Sequence, residues 1–562
     1  MKKYLTLFIA MFIALASCKK QTYDVIIRGG TVYDGSGKPG MMADVAMNAD
    51  TLAFIGDLKN AVGKKEIDAK GLAVAPGFIN MLSHAEGSLL FDGNSQSDIR
   101  QGVTLEVFGE GSMGPMNDKM KADDEEAMKR DPDWAYKIDW TTLGQYLEGL
   151  ERKGVSTNVA SFVSAITVRV HELGYANRAP SAEELERMKA LVKQAMDEGA
   201  MGVTSALIYA PANYASTEEL IELSKVAAAS GGMYIAHIRS EGNSIFEAVN
   251  ETIRIAREAN LPAEIYHLKF SGKDNWNKID SVIAMIDNAN QEGLKITADM
   301  YTYTAGATGL DAAMPPWLQE GGIKEWIKRM QNPVMRKKAL QEMRTPTNKW
   351  ENLMMLAGDF DKVLLMGFTN DSLRRNFTGK TLGQVAKIYG KTPEETAMDL
   401  VITDGTRVGT AYFLMTEENV KRQIQLPYIS FGSDAESSTA AGNFLKTPTH
   451  PRAYGNFSRL LGKYVREEKV ILLEEAVRRL TSLPASNLKI QKRGALMPGY
   501  FGDLAIFDPT KIADHATFEN PHQYSTGMVH VFVNGTQVLE NGEHTNARPG
   551  RVVRGPGWKK TE

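Results

Sequence analysis

MYIAHIR (233–239) and EIYHLK (264–269) are two short apolar runs, each with a histidine near its C-terminal end, and a helix-patterned segment separates them. In a chain that alternates strand, helix and strand, this spacing sets His237 and His267 at the same rim of a parallel sheet, where a divalent metal can bind. The chain has only 9 histidines, so paired placement is informative. Each histidine is followed two residues later by a cation, Arg239 and Lys269, which in a strand points to the same side. A rim with a metal and fixed positive charge suits hydrolysis of a compound that carries a carboxylate.

Working outward, further apolar strand candidates are NVASFVSAI (158–166), GVTSALIY (202–209), KITADMYTY (295–303) and YISFGSD (428–434). AVAPGFIN (73–80) and GVTLEVFGE (102–110) complete a set of eight. Helices between them announce themselves by capping boxes, Ser181 with Glu184 and Ser216 with Glu219. The pattern predicts an α/β fold: a (β/α)8 TIM-like barrel over residues 76–490, its active site at the C-terminal ends of the strands. The stretch 309–416 is longer than one strand–helix unit needs and is expected to be an insertion over the barrel mouth. Alternating runs with glycine turns occupy 23–75 and return over 491–550, which predicts one small β-sandwich built from both chain ends.

With 562 residues, 43% hydrophobic and 24% charged, the chain can bury a large core. A net charge of −3 gives no electrostatic case for nucleic acid. Lys2 and Lys3 precede an apolar run too short to span a membrane comfortably, which reads as an export signal. The run ends in Leu15-Ala16-Ser17-Cys18, similar to a bacterial lipoprotein signal, so residues 1–18 are expected to be removed up to a lipid-bearing Cys18 that anchors an envelope protein. Cys18 is the sole cysteine, leaving neither disulfides nor a thiolate for metal or nucleophilic chemistry.

A third metal ligand should come from another strand end. Glu110 follows a run of β-formers in a Gly109-Glu110-Gly111 turn, where a backbone can approach closely; a solvated turn carboxylate is the other reading. Asp434 closes the last apolar strand and is either a proton acceptor for a metal-activated water or a helix N-cap. Tyr209, in ALIYAP, either lines the pocket or packs the barrel.

APGFIN, AHIRSEG, YHLKFSG, DMYTYTAG, GSDAES, PTHPRAYGNFSRLLGKYVRE and the tail FENPHQYSTGMVHVFVNG carry a resemblance over the whole chain after the signal. The chain resembles the D-aminoacylase (N-acyl-D-amino-acid deacylase) family of the amidohydrolase superfamily. The resemblance implies a zinc-dependent hydrolase of linear amides, with His237 and His267 on the metal and Asp434 as general base. It further implies that Lys269, Tyr301 and Arg452 hold the substrate carboxylate, a guanidinium being suited to a two-point grip.

Two departures matter. The superfamily opens its barrel with a His-x-His pair, where this chain has Leu82 and His84; Leu82 cannot bind metal, and His84 alone either ligates or hydrogen-bonds a neighbour. The family's cysteine after the second strand is also missing, and Glu110 lies beside its place, where a carboxylate oxygen can fill the same vertex. No lysine able to bridge two metals as a carbamate lies in 158–170, which argues against a cyclic-amide hydrolase. The expected chemistry is therefore one tightly bound Zn2+ on Glu110, His237 and His267, with an N-acyl-D-amino acid or short peptide as substrate. Its rivals are another amide or dipeptide hydrolase of the superfamily and a lipid-anchored binding protein with a degenerate metal site.

Overall fold

The computed structural model describes residues 20–129 and 132–560. The expected signal and Cys18 lie outside the described residues. Among the described residues no helix is long and apolar enough to cross a membrane.

The two chain ends meet in one nine-stranded sheet. Thr22–Val32, Met41–Asn48, Thr51–Gly56, Val62–Asp68 and Ala73–Pro76 come from the first end. Leu504–Phe507, Met528–Val533, Thr536–Glu540 and Glu543–His544 come from the second. They join where Ala73–Pro76 runs antiparallel to Leu504–Phe507. Alternation in the sequence does this: Ile27, Val45, Met47, Val74, Leu504, Ile506 and Phe532 all point into one buried cluster. The run AVAPGFIN is split at Gly77, and only Phe78–Ser83 joins the parallel strands. A Cβ at residue 77 would lie 2.1 Å from Thr104 Oγ1, so only glycine permits that corner.

The centre of the chain is α/β. Its parallel strands form a three-stranded sheet, Phe78–Ser83, Val103–Phe108 and Asn158–Ser161, and a six-stranded sheet. The second sheet runs in the order Ile429–Phe431, Ile296–Met300, Ala263–Ile265, Met233–His237, Gly202–Ala206, Val163–Ser164. Every residue of these nine strands is buried, which is why they read as continuous apolar runs. Helices cover them by one face. Ala182–Asp197 buries Met188, Val192, Ala195 and Met196, and the Ser181/Glu184 capping box closes from both sides. At the next helix, Ser216 accepts from the Glu219 amide at 3.2 Å, but the Glu219 carboxylate turns away to Arg169 Nη1 at 2.5 Å. An ion pair in the buried core outcompetes the reciprocal cap there.

Residues 305–415 build a unit with a core of its own, including Leu310, Trp326, Leu365, Val401 and Tyr412. Its strands Ala305–Gly309, Val363–Gly367 and Gly409–Phe413 form a separate antiparallel sheet. This unit supplies Thr308, Leu353, Met366, Arg407 and Leu414 to the wall of the cleft described next.

Candidate active site

Nine of the residues singled out from the sequence line one cavity of about 530 Å3: His84, Glu110, Tyr209, His237, His267, Lys269, Tyr301, Asp434 and Arg452. Eight of them lie at or just beyond the C-terminal ends of the parallel strands, and Arg452 opens the helix Arg452–Arg459. The strand before His267 ends at Ile265, the one before Asp434 at Phe431, and the one before Glu110 at Phe108. Glu110, His267 and Asp434 each take a left-handed backbone, with φ of 60°, 34° and 48°. Left-handed non-glycine residues carry strain of order 1–3 kcal/mol each, and such strain gathers at functional sites. Here it turns three side chains inward together. Gly109 permits the first of these turns, since a Cβ there would meet Tyr266 Oη at 1.9 Å.

Glu110 Oε1 lies 3.0 Å from His237 Nδ1 and 2.8 Å from His267 Nε2. A tetrahedral ion with ligand bonds of about 2.0–2.1 Å needs donor atoms roughly 3.3 Å apart, so shifts of a few tenths of an ångström admit one. The three donors form a candidate metal group within 4.8 Å. A second group, His84, Glu110 and Asp434, shares Glu110. The Glu110 carboxyl is pushed up by burial and pulled further down by His237 and His267, leaving it well below the ordinary carboxylate value.

The outer nitrogens of both imidazoles face one carboxylate that the sequence reading missed, Glu241. Its Oε1 is 3.1 Å from His267 Nδ1, 3.5 Å from His237 Nε2 and 2.7 Å from Lys269 Nζ. Lys269 Nζ also lies 2.7 Å from His267 Nδ1, closer than Glu241, and an ammonium can only donate, so Glu241 acts on both imidazoles and on Lys269 as one shared negative charge. Burial raises the Glu241 carboxyl, but Lys269, His237 and His267 outweigh it and hold it at about 2. The donor set and its backing therefore fit a divalent ion. Glu241 is itself held by the 305–415 unit: the Glu351 carboxylate accepts from the amides of Glu241, at 3.0 Å, and Gly242, at 3.3 Å, and from the Ser240 hydroxyl. The available signal was a carboxylate four residues after a candidate ligand, in the Ser-Glu-Gly loop of AHIRSEG.

Asp434 lies between His84 Nε2, 3.0 Å from Oδ1, and Arg452 Nη1, 2.9 Å from Oδ2. Burial raises its carboxyl, and Arg452, His267 and His84 more than offset this, so it stands below the ordinary value and is ionised at neutral pH. Tyr301 is flanked by two cations, Arg452 at 4.5 Å and Lys269 at 5.4 Å from its ring centre. Tyr301 Oη and Arg452 Nε are buried without a hydrogen-bond partner, while Arg452 Nη1 is ion-paired with Asp434. Unsatisfied buried donors are costly, and two of them on residues that line one cavity point to an anionic ligand. Tyr209 stands edge-on to His237 at 5.3 Å, beneath Arg407 at 5.0 Å.

Arg239 does not share the rim. The strand ends at His237, and the guanidinium turns outward to Glu251, at 2.9 and 3.0 Å, and to the carbonyls of Asn213 and Ala215. The two-residue periodicity fails because both residues lie past the last strand hydrogen bonds. Lys269 reaches the site by a loop, drawn in by Glu241.

A family model described as the amidohydrolase family matches residues 65–539. A D-aminoacylase of Alcaligenes xylosoxydans xylosoxydans is 31% identical over 96% of this chain and 99% of its own length. A D-aminoacylase solved for the functional role of its binuclear metal centre is 30% identical, with a TM-score of 0.77 over 95% of this chain and 100% of the other. The N-acyl-D-glutamate deacylase of Bordetella bronchiseptica, solved with zinc and a phosphonate mimic of the tetrahedral intermediate, is 28% identical, with a TM-score of 0.78 over 95% and 100%.

Proposed function

The chain belongs to the amidohydrolase family, and from that premise we propose that it is a metal-dependent deacylase that hydrolyses N-acyl-D-amino acids to a carboxylic acid and a free D-amino acid. The observation that carries this is one cavity in which the convergent donors Glu110, His237 and His267 face the unsatisfied donors of Tyr301 and Arg452.

Glu110, His237 and His267 would hold one zinc ion, which when bound supplies Lewis acidity to a water and to the amide carbonyl. A count of one is supported by Leu82, whose apolar side chain is buried where a further ligand would be needed, and by His84, which serves Asp434. Asp434 takes the proton of the attacking water and returns it to the leaving nitrogen. His84 and Arg452 keep Asp434 ionised and aimed. Arg452, Tyr301 and Lys269 hold the α-carboxylate, so the substrate is fixed at two points, carboxylate and carbonyl, and the Cα substituents must then choose between opposite walls. That choice is the source of selectivity for one enantiomer, and Tyr209 borders it.

On this reading the two parallel sheets are one (β/α)8 barrel. The parallel bridge Ser83–Ala435 and the Asp434 amide bonded to the Leu82 carbonyl at 2.9 Å support closure. The strands of both ends form the small β-sandwich beside it, and the 305–415 unit covers the mouth. Residues 1–18 direct export, and a lipid on Cys18 holds the enzyme in the cell envelope; Cys18→Ser should move it from the membrane to the soluble fraction.

The test is the chain without its first 18 residues, assayed for bound zinc and for release of amino acid from N-acetyl-D- and N-acetyl-L-substrates. Turnover of the D-series with zinc bound is expected, and Asp434→Asn should abolish turnover with zinc retained. Absence of both zinc and turnover overturns the enzyme reading, and turnover of the L-series alone overturns its stereochemistry.

A further inference from the structure

A second chamber, of about 710 Å3, adjoins the catalytic cleft, and Gly409, Glu436 and Pro448 line both. At this boundary the backbone packs directly on a proline ring: a Cβ at residue 409 would lie 2.5 Å from Pro448 Cβ. The proposed metal ligands and carboxylate clamp all lie on the catalytic side of this boundary, so the deacylation derived above leaves the second chamber without a use.

Its walls are informative. Trp134 stands edge-on between Phe91, at 4.8 Å, and Phe444, at 4.7 Å, giving the chamber an aromatic face. The charged groups around that face are paired with one another, Lys446 with Asp133 at 2.7 Å and Arg374 with Asp371. Glu436 differs. It is exposed at the boundary, two residues after Asp434, and makes no hydrogen bond or ion pair among the described residues, although His84 acts on it electrostatically.

We propose that the acyl group this enzyme removes best is an aminoacyl group, so that its substrate is a dipeptide whose C-terminal residue has the D configuration. This rests on the deacylase reading and adds the identity of the acyl half. The α-ammonium of such a dipeptide sits on the carbon next to the scissile carbonyl. A carboxylate beside the general base is therefore in the right place to pair with it, and the first residue's side chain, large and aromatic or apolar, enters the chamber. Water adds across the C–N bond: its hydroxyl goes to the carbonyl carbon, its proton reaches the departing nitrogen through Asp434, and two free amino acids leave. A long hydrocarbon acyl chain fits less well, because it would strip water from Glu436 and the paired charges and offer them nothing in return.

Three substrates with the same C-terminal D residue separate the possibilities: a dipeptide beginning with phenylalanine, its N-acetylated form, and the N-octanoyl-D-amino acid. The free dipeptide is expected to have a kcat/KM at least tenfold above both others. Glu436→Gln should erase its advantage over the N-acetylated form, and Trp134→Ala should narrow the gap between phenylalanine and glycine as first residue. Equal or faster cleavage of the N-octanoyl or N-acetylated compound overturns the proposal, as does a Glu436→Gln variant with unaltered preference. Loss of every D-substrate in the unmutated enzyme would instead overturn the deacylase reading.

Discussion

Replacing Glu241 by glutamine removes one charge and almost no volume, and it tests whether a single buried carboxylate governs the metal site. Glu241 faces the outer nitrogens of two candidate ligands, at 3.1 Å for His267 and 3.5 Å for His237. Loss of a carboxylate behind a ligating imidazole weakens metal affinity about 10- to 100-fold, which is about 1.4–2.7 kcal/mol. Neither contact is a hydrogen bond, since His267 Nδ1 meets Lys269 Nζ at 2.7 Å and His237 Nε2 has no hydrogen-bond partner, so the expected loss is that of one charge shared behind the pair. The same substitution leaves the Lys269 ammonium buried with a neutral partner where it had a carboxylate at 2.7 Å. Leaving a buried charge uncompensated costs about 3–5 kcal/mol when the partner is removed outright, and less here because glutamine keeps an acceptor oxygen. The variant should therefore melt at a lower temperature and release zinc to a chromogenic chelator at 10- to 100-fold lower chelator concentration. Thermal unfolding with zinc in excess separates the two effects. A Glu241→Gln enzyme that retains zinc within twofold of the parent would refute the argument that this carboxylate tunes the metal site.

Glu110→Ala removes the donor shared by both candidate metal groups, and zinc content after dialysis should fall below one half; full occupancy would show that Glu110 is not a ligand. Arg452→Gln should raise KM for a D-substrate by about two to three powers of ten, as expected for a charge-assisted bond worth a few kcal/mol, and Tyr301→Phe should raise it less, since only one donor is lost. If KM stays constant in both, the carboxylate is held elsewhere. Burial and then the charge of Glu241 raise Glu351 from 4.5 to about 7. In this window Glu351 holds a proton in the folded protein that the unfolded chain has lost, so its contribution to stability should decline as pH rises from about 4.5 to 7, by at most about 1.4 kcal/mol per pH unit. Glu351→Gln should flatten that slope in melting curves taken across the window, and an unchanged slope would remove Glu351 as its source.

His237, His267 and Asp434 were legible because strand-end chemistry leaves a local signature, a polar residue closing an apolar run. The exact geometry was not, because it depends on left-handed turns at Glu110, His267 and Asp434 that no propensity favours for those residue types. The same cause misdirected the reading of Arg239. Two-residue periodicity holds only while the ladder of strand hydrogen bonds continues, and both histidine strands stop before the cation is reached. Glu241 was hidden for a different reason. Its meaning lies in contacts 28 residues away in Lys269 and 110 away in Glu351, the second of which comes from a unit with a separate core. Sequence spacing shows which residues a strand presents together, whereas the carboxylate that orients them is recruited across the chain. The 305–415 unit thus does more than line the cleft: through Glu351 it fixes the loop that carries Glu241, so a rigid shift of that unit would move the backing of both imidazoles and of Lys269 at once. Metal affinity and carboxylate binding are therefore expected to change together under any perturbation of the Glu351 contact, a coupling that neither element could produce alone.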